Sequence, residues 1–277
     1  MSDSQALKEF HRIHHWPDQA GVESLFRFSK IDANNLHFLS HLFVDAKLYH
    51  ALPSQFNDPF ECKPHFNWPK SANKVRAIRS HLMKVARSNG FKRKDAEKLA
   101  SDNMKKTEFI QETIYDAIQK SFGELRICSF TTSKENLLFW SHYAAIHAGF
   151  CVEFDARKMP IAYAYKVDYS DEYPDVDYPR PSDATAFRPA LIKSKNWQYE
   201  DEYRTIFVPE ATRQPKNDGE SLLLHGNEIT NIYFGAAMED ADKVKIKELV
   251  ESGPFSPVFW NSSLSKSSFA LEFSRCS

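Results

Sequence analysis

Between residues 70 and 107 the chain carries 12 Lys and Arg against 3 Asp and Glu, a local balance of +9. The formal charge of all 277 residues is −1, so the rest of the chain sums to −10. Such a stretch is either a solvated helix face or a surface for a polyanion. Its patterning is helical. Ser71 is placed to cap a helix running to Ser88, stopped by Asn89-Gly90. A second helix is expected from Arg93 to Ser121, with a break near Thr107. Its later half carries Phe109, Ile110, Thr113, Ile114, Ala117 and Ile118, the spacing of an amphipathic stripe.

On both sides of this block the chain reads as strands. Candidates are Leu25–Phe28, Lys47–Ala51, Leu125–Phe130, Phe150–Phe154, Tyr163–Tyr169, Tyr203–Val208, Ile229–Phe234 and Ser268–Phe273. Asn35–Leu42 reads equally as a short helix or a strand. Helices are expected over Glu135–His147, Phe187–Lys195 and Asp240–Ser252. Strands and helices do not alternate as in a doubly wound sheet. The expectation is a single α+β domain over 1–277: a mixed, mainly antiparallel sheet with a basic helical insertion at about 67–122.

Composition narrows the function. With 8 Gly and no G-x-x-x-x-G-K-[ST] or G-x-G-x-x-G, a glycine-built phosphate loop is not expected. The 22 Phe and 11 Tyr allow a large aromatic core. Four cysteines without a C-x-x-C pair, and an N-terminus without a secretory pattern, lead to an expectation of free thiols, no resident metal and a cytoplasmic location. No apolar run approaches the roughly 18–20 residues of a membrane span, so no membrane partner is expected.

Three constellations could carry chemistry. The first, Phe56-Asn57-Asp58-Pro59-Phe60-Glu61, holds two polar side chains in a turn between aromatics; the plain alternative is a well-capped turn. The second is the Glu135–His147 helix, where Asn136, Trp140, Tyr143 and His147 fall on one stripe able to wall a pocket for a flat ring. A core helix is the alternative. The third is Trp197 to Arg204. A strand beginning near Glu200 would put Glu200, Glu202 and Arg204 on one face, within about 7 Å. A solvated ionic ladder is the alternative there.

Taken in order, these motifs resemble the mostly bacterial family called domain of unknown function 2971, whose hallmarks are N-D-P-F-[DE], [LMF]-W-S-x-Y-A and K-x-x-x-W-x-x-E-x-E-x-R. They stand here as Asn57 to Glu61, Phe139 to Ala144 and Lys193 to Arg204. The family name implies no activity. The chain is more distantly similar to the ADP-ribosyltransferases, through Arg27 on an early strand, Ser129-Phe130-Thr131 in the middle and Glu200-Asp201-Glu202 late. That similarity implies a split sheet and NAD as substrate. Glu202 would stabilise the oxocarbenium charge and bind the ribose, Glu200 would activate the acceptor, and Arg204 would orient the carboxylates. Arg27 and Ser129 would position the dinucleotide, with Asn57 and Asp58 at the same ligand and Trp140 or Tyr143 stacked on nicotinamide. A toxin or phage-defence role is part of what the resemblance implies. On this reading Glu202→Gln abolishes activity and leaves the melting temperature unchanged.

Two rivals come from other classes. One is a non-catalytic nucleic-acid-binding module using Arg76, Arg79, Lys92, Arg93 and Lys94. The other is a nucleotide-sensing module that leaves its ligand intact. Within the transferase reading, the same basic insertion recruits a nucleic-acid or acidic protein acceptor.

Overall fold

A computed structural model describes residues 3–276 apart from 210, 212 and 213. In chain order its helices are α1 (Asp3–Ile13), α2 (Leu36–Phe43), α3 (Ala72–Ser88), α4 (Arg93–Met104), α5 (Thr107–Gly123), α6 (Leu137–His142) and α7 (Asp240–Glu251). The strands are β1 (Ser24–Ser29), β2 (Lys47–Tyr49), β3 (Arg126–Thr131), β4 (Phe150–Asp155), β5 (Tyr165–Lys166), β6 (Asp168–Ser170), β7 (Ile192–Ser194), β8 (Glu202–Phe207), β9 (Ser221–Leu223), β10 (Ile229–Phe234), β11 (Val258–Leu264) and β12 (Leu271–Arg275). The fold is α+β with a mixed, mostly antiparallel sheet, as expected. Eight strands run in the order β12-β11-β10-β4-β1-β3-β8-β5, and within this sheet all described neighbours are antiparallel except β10 and β11. Two small pairs, β2-β9 and β6-β7, stand apart from it.

The sheet is continuous but nearly splits at its centre. β1 pairs with β4 from Ser24 to Ser29, and β3 pairs with β8 from Arg126 to Thr131. Between β1 and β3 there is one register pair, Phe26↔Thr131. Beyond it the free edge of β3 is taken by Ala51, whose N–H and C=O both bond Ile127. His50, fully buried beside it, joins Leu48 O to the Thr205 hydroxyl and fixes this wedge. The chain following the wedge carries the Asn57–Glu61 turn over the opening.

Period-2 alternation distributes the core. Leu25, Phe150, Val152 and Phe154 face one side, where α2 and α7 cover them through Phe43, Ile246 and Val250. Phe26, Phe28, Cys151 and Tyr233 face the other, under Phe139 and Trp140 of α6. The insertion folds as α3, α4 and α5, with the expected break between Met104 and Thr107. It docks through Ile110, Ile114, Ile118 and Phe122, one residue per turn of α5. Each such burial contributes roughly 1.5–3 kcal/mol. Phe109, expected on that stripe, is exposed. Arg76, Arg79, Lys92, Arg93 and Lys94 are exposed on α3 and α4 and their link.

Three expected elements differ. The Glu135–His147 helix stops at His142, and Ala145, Ile146 and His147 all take positive φ. The Tyr163–Tyr169 strand divides into β5 and β6. Its partner β8 begins at Glu202, so the chain past Lys166 finds β7 instead. The Phe187–Lys195 helix becomes a 3₁₀ segment (Ala184–Leu191) containing Pro189, then β7; a proline without an N–H cannot continue an α-helical ladder. Among the described residues no helix is long and apolar enough to cross a membrane.

Candidate functional site

The three motifs meet. A cavity of about 180 Å³ opens where β1 and β3 diverge, and Asn57, Tyr143, Glu200, Glu202, Arg27 and Ser129 all line it. Its walls are aromatic: Phe26, Phe28, Phe56, Phe130 and Phe139. This volume lies below the roughly 300 Å³ at which pockets start to hold drug-sized ligands, so it suits one ring or one sugar.

The floor is a closed network of five buried charges. β8 places Glu202 and Arg204 on one face by strand periodicity, opposite Thr131 and Ser129 of β3. Arg204 Nε lies 2.6 Å and Nη2 3.1 Å from the two Glu202 oxygens, and Nη2 also binds Glu61 Oε2. Lys193 Nζ, on β7, reaches Glu61 Oε1 at 3.0 Å, Glu200 Oε2 at 2.5 Å and Glu202 Oε2 at 3.2 Å. All five side chains are at most 5% exposed. Burying charges is costly unless they are paired and hydrogen-bonded, and here every carboxylate touches a cation.

Glu200 does not stand on the strand expected for it. It ends a 3₁₀ segment (Lys195–Glu200), and Asp201 follows in the left-handed region at φ 46°, a conformation Asp tolerates better than most side chains. Thr132 and Lys166 both bind the Asp201 carboxylate and hold the corner. Asn136 caps α6 by accepting from Leu138 N and donates to Tyr199 O, which ties α6 to this segment. Tyr143, just past α6, then donates to Glu200 Oε1 at 2.7 Å, and Asn57 donates to the Tyr143 hydroxyl at 3.4 Å.

The two E-x-E carboxylates are pushed in opposite directions. Burial works against the Glu202 charge, but Arg204 and then Lys193 overcome it and hold the carboxyl at about 2. Burial, with the like charge of Glu202, pushes Glu200 above the usual range against the pull of Lys193. Such a separation suits a permanently charged group and a proton-handling group side by side. Burial pushes the Cys62 and Cys128 thiols up to about 11, so neither is a thiolate at neutral pH.

Two expected ligand contacts are absent. Trp140 lies in the core at 0% exposure, donates to Lys134 O and stacks on His147; it lines no part of the cavity. The core holds it there: its ring meets Phe28 edge-on at 5.0 Å between centroids, and its indole N–H is taken by Lys134 O. Asp58 accepts from Phe60 N in the turn and lines a separate cavity of about 690 Å³ on the far side of Lys193. Arg204 lies beneath the cavity and meets it through Glu202, Glu61 and the Phe56 ring rather than lining it.

Glu61 and Lys193 belong to the quoted motifs, yet carried no assigned role. Their signal was the charged residue at a fixed place in N-D-P-F-E and in K-x-x-x-W. Among the described residues no group of three or more His, Cys, Asp or Glu side chains is placed to hold a metal ion. No protein-family model, curated protein or solved structure matches the chain.

Proposed function

We propose that the chain is an NAD-handling, ADP-ribosyltransferase-like enzyme with Glu202 as its electrostatic centre. One observation carries this reading: the three motifs converge on an aromatic-walled cavity into which an ionised carboxylate faces. Nicotinamide in NAD is a flat, positively charged ring. Aromatic faces and carboxylates attract such a ring. When the bond from nicotinamide nitrogen to ribose carbon breaks, its electron pair leaves with the nitrogen and an oxocarbenium charge grows on the sugar. Glu202, fixed by Arg204, stabilises that charge without reorganising. It accepts three N–H bonds, and the Ser129 hydroxyl takes the remaining place of the roughly four a carboxylate can offer, so a ribose hydroxyl would bind Glu202 in the place of Ser129. Glu200, the more basic carboxylate, takes the proton of the attacking acceptor or water as the new bond to the ribose carbon forms. The cavity takes the nicotinamide end only, and the rest of the dinucleotide lies outside it.

The test is purified protein with millimolar NAD, read by melting temperature and by mass analysis of the nucleotide. Nicotinamide release by the wild type, and its loss in Glu202→Gln, are the expected results. A wild type that shows no shift and no cleavage overturns the reading, and a shift with intact NAD replaces it with the sensing module. The structure alters one expectation about the variant. Each charge-assisted bond that Glu202 loses costs about 1.5–3 kcal/mol, so Glu202→Gln is assayed well below its melting temperature.

A second reading rests on the exposed cations of α3 and α4. Arg93 pairs with Glu97, whereas Lys92 and Lys94 form no ion pair among the described residues. A nucleic-acid surface there gives affinity that falls steeply with salt and is lost when Arg76, Arg79, Lys92, Arg93 and Lys94 all become Gln.

A further inference from the structure

Lys193 is a buried ammonium with three donors and three carboxylate partners, Glu61, Glu200 and Glu202. The partners are not equivalent. Arg204 binds Glu61 and Glu202 directly and does not bind Glu200. Lys193 is therefore the one cation in contact with Glu200 among the described residues. The other groups facing Glu200 do not replace it. Tyr143, beyond α6, is a neutral donor. Glu202 on β8 and Glu61 on the early turn are like charges. Tyr169 on β6 is neutral, its hydroxyl oxygen accepting from Glu202 N–H, and Tyr199 is likewise neutral. Arg27, on the β1 wall, is turned to Cys128 Sγ and Ser129 O.

We propose that Lys193 is the positioning residue that keeps Glu200 ionised beside Glu202, so that Glu200 can accept a proton at neutral pH. This role deepens the assignment of Glu200 above and rests on it. With Lys193 present, three carboxylates face two cations. Without it, three face Arg204 alone. A low-dielectric site does not sustain two uncompensated carboxylates, so one takes up a proton. Glu61 and Glu202 keep their bonds to Arg204, which leaves Glu200 to take it. A protonated Glu200 still accepts from Tyr143 and still packs, but it no longer removes a proton from an acceptor.

The decisive variants are Lys193→Met, Lys193→Arg, Glu200→Gln and the Lys193→Met/Glu200→Gln double variant. Infrared spectroscopy reads protonated carboxyl groups directly. At neutral pH Lys193→Met should show one carboxyl band that is absent from wild type, from Lys193→Arg and from the double variant. In parallel, the acid limb of nicotinamide release should move to higher pH by about 1–3 units in Lys193→Met, the effect of removing one adjacent opposite charge. A uniform loss of rate with an unmoved profile, or no new band, overturns the proposal. If Lys193→Met does not fold, the wild-type minus Glu200→Gln difference spectrum decides: an ionised Glu200 at neutral pH supports the role and a protonated one overturns it. A wild type that releases no nicotinamide, while Lys193→Met gains the band, removes the transferase reading and leaves the role of Lys193 standing.

Discussion

Phe26 faces Thr131 at the one position where β1 and β3 still pair, and the next residue, Arg27, spans the gap that opens beyond it. Its Nη1 lies 2.7 Å from Cys128 Sγ and 3.4 Å from Ser129 O, so a side chain stands where ladder bonds would otherwise run. Arg27 is thus both a wall of the cavity and a tie across the seam. Arg27→Met should cost about 1–2 kcal/mol and speed amide exchange at residues 127–130 more than in β4 or β10. Uniform exchange over the whole sheet would show that Arg27 is not a local tie.

Arg204→Met leaves Glu61 and Glu202 buried beside Lys193 alone. Breaking a buried ion pair from one side costs about 3–5 kcal/mol, as much as a large core truncation. Chemical denaturation should show this loss. A Glu61→Gln change in the same background should recover part of it, because one uncompensated charge disappears. Strictly additive losses would mean that the two residues do not share one network.

Acid should unfold the protein through two distinct groups. His50 has a folded value near 3 against an ordinary 6.5, chiefly because it is buried, so the unfolded chain binds the proton first. Its stabilising effect is complete above about 6.5 and is lost as pH falls from there toward 3. Glu202, at about 2 against an ordinary 4.5, acts in the same direction over a lower window: its share is complete above about 4.5 and is lost between there and about 2. Stability measured against pH should flatten in the upper window in His50→Gln, leaving the share of His14, which burial also lowers, and in the lower window in Glu202→Gln.

Tyr143 and Trp140 lie three residues apart and should separate cleanly. Tyr143→Phe removes one hydrogen bond to Glu200 and should cost only about 0.5–1.5 kcal/mol while weakening ligand binding or turnover. Trp140→Ala opens the core under α6 and should cost about 3–5 kcal/mol. If the folded fraction of Trp140→Ala loses ligand affinity as fully as Tyr143→Phe does, the placement of Trp140 outside the site is wrong.

Local signals carried the parts that local physics decides. The caps and stripes of α3 and α5 lie within one helix, and Glu202 and Arg204 share a face because strand geometry requires it. What stayed hidden depends on distant partners. Lys193 and Glu61 stand in the motifs, but nothing local gives them a role until β7 and the early turn are brought against β8. Glu200 reaches the cavity through a left-handed Asp201, which no alternation pattern encodes. β11 escaped notice because Val258–Leu264 runs into polar residues and pairs only after α7 returns it beside β10. The stop of α6 at His142 was masked by the helix-forming Tyr143-Ala144-Ala145 that follows.

The bond between Arg204 and Glu61 joins residues 143 positions apart. A chain still emerging during synthesis therefore holds the Asn57–Glu61 turn, the whole basic helical block and β3 long before the residues that neutralise Glu61 exist. No shortened product ending before Lys193 can contain a weakened version of this cavity, because Glu61 would have neither of its cations. The chemistry of the cleft switches on as a unit, at the moment the last third of the chain closes over the first.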